Sequence, residues 1–246
     1  MNILVCISKA PDTTTKISFT DGNTKLNKDK VQFIVNPYDE WYALVRAIEL
    51  KEQYGGTVKI ISVGDAEYDP IIRKAIAIGA DEAVRINSDA LDAHFVASQI
   101  ANYAKDKGFD LILTGKETIN YNGSQVGAMI AELMGLPYVA TASKLEVNGK
   151  VAKLERDLAA GVEVLEADLP VVISCAKGMA EQRIPNMRGI MAARTKPLEV
   201  IEPTPTDQHT EIVGYELPAD KGSVTYIDPN NMDELVQLLH SEAKVL

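Results

Sequence analysis

From Asn2 to Met134 short apolar runs and helical patterns take turns, and that alternation restricts the fold more than any other feature of the chain. Asn2–Ile7, Val58–Val63, Ala83–Ile86 and Leu111–Thr114 read as buried strands. Between them lie a helix of about 15 residues that stops at Gly55-Gly56, an apolar face on Ile71, Ile72, Ala75, Ile76 and Ile78, and a helix from Leu91 to Lys107. After the last strand, Val126, Met129, Ile130, Leu133 and Met134 recur at i, i+3, i+4, i+7, i+8. The pattern predicts an α/β fold, a mostly parallel, doubly wound Rossmann-like sheet with helices on both faces. Right-handed crossovers bring the loops after Ile7, Val35, Val63 and Thr114 to one edge, where open α/β sheets gather their ligands.

One of those loops carries the chemistry. Lys116–Gln125 joins a strand to a helix and holds Thr118, Asn120, Asn122, Gly123, Ser124 and Gln125, small or uncharged polar groups at a helix N-terminus. Free backbone N–H groups and the positive dipole end suit an anion such as phosphate. An ordinary turn at Asn122-Gly123 with Ser124 as a helix cap explains the same residues. On the phosphate reading Gly123 is the position of positive φ that a β-branched side chain would spoil. Asn36-Pro37-Tyr38-Asp39 forms a second helix start near the same edge.

The remaining chain departs from the alternation. Lys9–Thr13 reads as a loop, and Lys16–Lys30, with Asp21-Gly22-Asn23, as a small antiparallel β excursion. Asn148-Gly149 marks a hairpin between Lys144–Val147 and Val151–Leu154, extended by Gly161–Leu165, and Val171–Cys175 is a further buried strand. Arg183–Arg194 offers apolar Ile184, Met187, Ile190 and Met191 with few core-like neighbours. From Pro197 to Tyr226 prolines and glycines interrupt any period, and Asn230–Lys244 is an amphipathic helix without an evident home. The chain thus divides into a domain over 1–196 and an extended C-terminal arm over 197–246 that is expected to pack on another subunit.

Composition excludes several classes. A net charge of -10 and a pI near 4.9 argue against a nucleic-acid partner, which needs clustered Lys and Arg. No run approaches the roughly 18 apolar residues of a membrane span. The N-terminus lacks the basic region and cleavage site of a signal peptide, so a cytoplasmic address is expected. Cys6 and Cys175 lie in separate apolar runs and read as reduced core residues. His94, His209 and His240 stand in scattered segments that look solvated, and no motif positions a metal, a catalytic acid or base, or a nucleophile. The chain therefore reads as a binding or carrier protein, not an enzyme.

Four stretches in register give a specific likeness: Ile3–Thr13 (ILVCISKAPDT), Val35–Leu44 (VNPYDEWYAL), Asp110–Met129 (DLILTGKETINYNGSQVGAM) and Arg183–Arg194 (RIPNMRGIMAAR), with Gly79–Ala83 (GADEA) between them. Together they resemble the electron transfer flavoprotein β subunit over essentially the whole chain. Leu154–Ser174 resembles that family's acidic-glycine turn and Leu-Pro strand, except that Ala159-Ala160 stand where an acidic residue and glycine are usual. The resemblance implies an adenine-nucleotide-binding sheet, an obligate α-subunit partner that holds most of an FAD, and electron shuttling from flavin dehydrogenases such as acyl-CoA dehydrogenases to a downstream acceptor. It also implies an AMP in this subunit. Carried over residue by residue, the AMP pocket takes Cys6, Asn36, Pro37, Tyr38, Asp39, Val63, Gly64, and the run Thr118, Ile119, Asn120, Tyr121, Asn122, Gly123, Ser124, Gln125, Val126, Gly127, Ala128 and Met129. Tyr38 takes the position that approaches the flavin held by α. Dehydrogenase recognition falls on Arg183, Met187, Arg188, Ile190 and Met191, with Met187 as the aliphatic plug and Arg194 completing a basic rim.

Two alternatives stand beside this reading. Flavin-bifurcating relatives hold a second FAD in the β pocket. They share Gln125-Val126-Gly127 but carry acidic residues where this chain has Asn120-Tyr121-Asn122, and Pro-Glu where it has Ala128-Met129. AMP is therefore expected. A nucleotide-binding stress or signalling module would share the sheet, but its phosphate motif needs a glycine spacing that Gly115 and Gly123-Ser124 do not give. GxGxxG and GxxxxGK[ST] are both missing, which removes the phosphate cradles of dehydrogenases and P-loop hydrolases.

Overall fold

The computed structural model of the chain describes residues 1–89, 92–118 and 121–246. Along the chain run β1 (Asn2–Cys6), β2 (Lys9–Pro11), β3 (Phe19–Thr20), β4 (Lys25–Leu26), β5 (Phe33–Val35), α1 (Glu40–Tyr54), β6 (Thr57–Gly64), α2 (Asp69–Ile78), β7 (Glu82–Asn87), α3 (Ala93–Ala104), β8 (Leu111–Gly115) and α4 (Val126–Met134). They are followed by β9 (Tyr138–Asn148), β10 (Val151–Leu158), β11 (Gly161–Asp168), β12 (Val171–Cys175), α5 (Met187–Ala193), β13 (Leu198–Ile201) and α6 (Met232–Leu238). Among the described residues one large sheet has the order β11-β10-β9-β12-β8-β1-β6-β7-β13. Its pairs are parallel from β9 to β13, and only the β9-β10-β11 meander is antiparallel.

Alternation along the buried strands builds two cores. In β1, Ile3 and Val5 point to the α1 and α2 side, while Leu4 and Cys6 point to the α3 and α4 side; β8 repeats this with Leu111 and Leu113 against Ile112. Helix ends follow the sequence signals. Asp39 caps α1 by accepting the Glu40 N–H, Pro70 lies in the first turn of α2, and Gly135 ends α4 at φ 65°.

The connections from β1 lead to β6 and then β7 on one side, and the chain returns through α3 to β8 on the other side of β1. The strand order therefore reverses between β1 and β8. A doubly wound sheet opens a crevice at such a point, because the loops leaving the two strands diverge to opposite faces.

The structure differs from the sequence expectation in three places. Residues 9–11 are a short strand paired with β5 outside the large sheet, since Ala10 is fully buried there. The start of the arm adds β13 to the sheet edge beside β7, where Leu198 and Ile201 pack on the core. His94 and His209 are not apart. Their rings lie 4.4 Å from each other because the arm folds back along α3. Asp92 holds it there: one carboxylate oxygen caps α3 through the Phe95 N–H, and the other accepts from the N–H groups of His209 and Thr210 and from the Thr210 hydroxyl. Gln99 binds Thr204 and Thr206 two turns further on. Beyond this, Tyr215 stacks on Phe19 of the β3-β4 hairpin. α6 has no buried residue, and its Met232, Leu235 and Val236 face outward.

Candidate functional site

The crevice between β1 and β8 opens into a cavity of about 160 Å³. Its floor is Cys6, Ile61 and Val63, one wall is α3 at Ala93, Val96 and Ile100, and its rim is Thr114–Thr118, Tyr121 and Gly123–Gly127. Tyr68 and Tyr121 add aromatic rings, and the lining is mainly apolar apart from a few convergent polar groups.

Two adjacent carboxyl groups at the start of α1 fix the loops around this cavity. Asp39, 2% exposed, accepts from the Glu40 N–H at 2.7 Å and from the Glu117 N–H at 2.7 Å, tying α1 to the loop after β8. Glu40, 5% exposed, accepts from the Ser8 N–H at 2.9 Å and the Ser8 hydroxyl at 2.7 Å, tying α1 to the loop after β1. Asn36 completes the frame by donating its side-chain amide to the Glu117 carbonyl. Gly115 lets these groups close on the strand end, since a Cβ there would sit 2.7 Å from the Asp39 carboxyl carbon and 2.8 Å from Glu40 Cγ.

Burial pushes Glu40 up to about 8, with the Asp39 charge adding to it against the bonds from Ser8 and Asn36. Burial likewise raises Asp39 to about 6, opposed by the N–H groups of Glu117 and Glu40. Both acids bind a proton more tightly folded than unfolded. The folded chain therefore holds more protons across the interval from the ordinary Glu value of 4.5 to about 8, and stability declines as pH rises through it before levelling off above. Glu40→Gln is expected to flatten this decline, read as urea midpoints at about pH 5.5 and pH 8. An unchanged slope would contradict it.

α4 begins without a side-chain cap. Gln125 occupies the cap position and makes no bond to the first turn, so Ser124 is not the cap. Among the described residues of the loop the left-handed ones are Asn122 (φ 48°) and Ser124 (φ 52°), and Gly123 has neither a positive φ nor an atom within 4 Å of a Cβ. The sequence reading of Gly123 as the constrained position is thus corrected, because the turn places its two polar neighbours in that conformation and leaves the glycine in open space. Gly127, by contrast, lies against the Thr114 hydroxyl and the Tyr138 ring, with a Cβ meeting them at 2.8 and 3.1 Å.

Of the residues singled out in the sequence, the cavity is lined by Cys6, Val63, Thr118, Tyr121, Gly123, Ser124, Gln125, Val126 and Gly127. Asn36 and Asp39 stand behind them as buried supports, and Gly64 packs beneath the Tyr68 ring. Pro37, Asn122, Ala128 and Met129 lie outside the lining, and Tyr38 is 59% exposed at the surface. Ile119 and Asn120 fall outside the described residues. Ser8, Glu40, Tyr68, Thr114 and Lys116 also line the cavity and were missed. The direction of Thr114 was available from the β8 alternation; the others depend on tertiary placement.

Away from the cavity, α5 carries Met187, 73% exposed, with Ile184 and Met191 beside it and Arg188 on the surface. Ile190 is 38% exposed and Arg183 is ion-paired with Glu52 at 2.8 Å. α5 is held to the domain by Gly189 against the Ala77 carbonyl and by Arg73, which donates to the Ala193 and Lys196 carbonyls. Burial pushes both cysteine thiols up, so they are inert core groups. Among the described residues no cluster of metal-ligating side chains occurs, and no helix is long and apolar enough to cross a membrane.

A doubly wound sheet with a framed cavity at its switch point and a helix N-terminus on the rim defines an α/β protein of the Rossmann-like class. Comparison with known proteins narrows this. The Electron transfer flavoprotein domain family matches residues 24–206. The chain is 38% identical to the electron transfer flavoprotein subunit beta of Bacillus subtilis, with 100% of each chain covered. It is 33% identical to the protein of that name in Syntrophomonas wolfei over 91% of this chain and 88% of the other, and 31% identical to that of Clostridium acetobutylicum over 96% and 89%. The chain belongs to the electron transfer flavoprotein β-subunit family.

Proposed function

We propose that the chain is the β half of a heterodimeric electron carrier, binding AMP in the β1-β8 crevice and, with an α subunit that holds most of the FAD, passing electrons from flavin dehydrogenases to a downstream acceptor. The observation that carries the nucleotide reading is the uncapped N-terminus of α4 on the cavity rim. A phosphate supplies acceptor oxygens to the free N–H groups of that helix start. Lys116 is the only cation on the lining among the described residues, and it is paired with Glu117 at 3.1 Å, while Glu40 brings a further carboxyl. Such a site favours one phosphate held by N–H dipoles over a polyphosphate that would need several cations.

The partner reading rests on surface that the sheet does not use. α6 shows an apolar face with nothing buried, and the arm beyond Tyr215 is exposed almost throughout. An α subunit covers such a face without cost to this domain's own core. Tyr38, exposed just before α1, is the ring proposed to meet the flavin of that subunit. Met187 is the plug for a dehydrogenase pocket, since its flexible thioether side chain is already exposed and its helix is anchored through other residues. Co-expression with an α subunit is expected to give a one-to-one complex whose flavin is reduced by an acyl-CoA dehydrogenase and its substrate. A chain that remains a stable monomer and leaves α without flavin would contradict the proposal.

A further inference from the structure

Beyond β13 the arm does not leave the domain at once. Thr204 and Thr206 are bound to Gln99 on α3, and His209 and Thr210 to Asp92 at the start of that helix. The arm therefore runs up α3 to the end of the sheet where the crevice opens, since Asp92 directly precedes Ala93 of the crevice wall. From there it crosses to the β3-β4 hairpin, where the Tyr215 N–H donates to the Asn23 carbonyl at 2.8 Å and its ring stacks on Phe19 with centroids 4.9 Å apart. That hairpin is tied to the other side of the crevice: Lys28, just after β4, pairs with Glu67 at 2.7 Å, next to the lining residue Tyr68. Tyr215 is also near enough to Tyr121, on the rim, to act electrostatically on its phenol.

We infer that Asp92 is a positioning residue that holds residues 210–215 across the mouth of the crevice as a strap, so that a nucleotide enters and leaves only when the strap lifts. Capping α3 needs one carboxylate oxygen, and the Phe95 N–H takes it at 2.6 Å. The second oxygen serves the arm alone, accepting the Thr210 hydroxyl at 2.6 Å and the N–H groups of Thr210 and His209 at 2.8 and 3.2 Å. Asp92 is 3% exposed, and three bonds to a buried carboxylate oxygen hold a segment far more firmly than the surface contacts of a loose tail. Among the described residues none from 204 to 215 lines the cavity, so the strap acts on rates, speeding or slowing entry and exit together. The inference rests on the nucleotide reading and adds a gate to it.

The test uses the complete complex with the α subunit, freed of nucleotide and reloaded with radiolabelled AMP. Dissociation is followed by a chase with excess unlabelled AMP, association by rapid filtration, and Kd by titration. Thr210→Val removes the hydroxyl donor to Asp92 and leaves the α3 cap in place. It is expected to speed dissociation about tenfold, the loss typical of a hydrogen bond to a charged group, with association faster by a similar factor and Kd within about threefold. Tyr215→Ala, at the other anchor, should move both rates in the same direction, so either variant serves if the other does not assemble with α. AMP release unchanged in the assembled variants overturns the strap and leaves the nucleotide reading intact. Faster release with unchanged association also overturns it, because the lost groups would then be supporting the bound nucleotide and not gating it. An unaltered complex that binds no AMP overturns both.

Discussion

Gly115→Ala is expected to lower the melting temperature by roughly 2–12 °C and to abolish nucleotide retention. The added Cβ would lie 2.7 Å from the Asp39 carboxyl and 2.8 Å from Glu40 Cγ, and neither is the loose end of a flexible chain. Asp39 is fixed by the Glu40 and Glu117 N–H groups, and Glu40 by Ser8. Relief therefore has to come from the backbone, either at the start of α1 or at the end of β8, and overpacking of that kind costs about 1–3 kcal/mol. At roughly 2–4 °C per kcal/mol for a chain of this size, the shift in melting temperature follows. Whichever segment yields, the loop after β8 moves relative to the loop after β1, so the cavity loses its frame. Gly123→Ala is the control: it meets nothing within 4 Å and should melt like the unaltered chain. A Gly115→Ala protein with unchanged melting and full nucleotide content would show that the carboxyl frame does not hold the site.

Met187→Ala is expected to act on electron transfer alone. Met187 is 73% exposed, and the α5 contacts to the domain run through Gly189 and the carbonyls that Arg73 binds. Truncating it removes no core packing, so the melting temperature of the complex should stay within about 1 °C. As a central anchor in a partner pocket it would contribute about 2 kcal/mol, and its loss should slow reduction by the dehydrogenase about thirtyfold at limiting concentration. Because the flanking Arg188 and Arg194 are basic on a chain of net charge -10, the same rate should decline with salt. A fall of several degrees in melting with transfer per folded molecule unchanged would make Met187 a packing residue and remove the docking assignment.

Much of the fold was legible because periodicity is set locally. Ile3, Val5, Leu111 and Leu113 alternate with Leu4 and Ile112 in the sequence as they do between the two cores. The convergence of the loops after Cys6, Val63 and Thr114 then follows from crossover handedness. What was not legible depends on distant partners. Glu40 reads as an ordinary acidic residue in a helix's first turn, and its burial arises only when Ser8 and Gly115 close over it. β13 has too few residues to announce itself, and its register comes from the exposed edge of β7. The meeting of His94 with His209 requires Asp92 to collect the arm from more than a hundred residues away, which no local pattern encodes. At the phosphate loop the chemistry was visible but the geometry was not: the positive-φ residues are Asn122 and Ser124, two types that tolerate that conformation less readily than the glycine between them.

The nucleotide content of the purified complex with the α subunit tests the central claim most directly. After heat denaturation, chromatography of the released nucleotides should give AMP and FAD in about equal amounts, with AMP lost in Gly115→Ala and FAD retained on α. Two FAD per complex and no AMP would contradict the account, since the crevice framed by Asp39, Glu40 and α4 would then hold a dinucleotide.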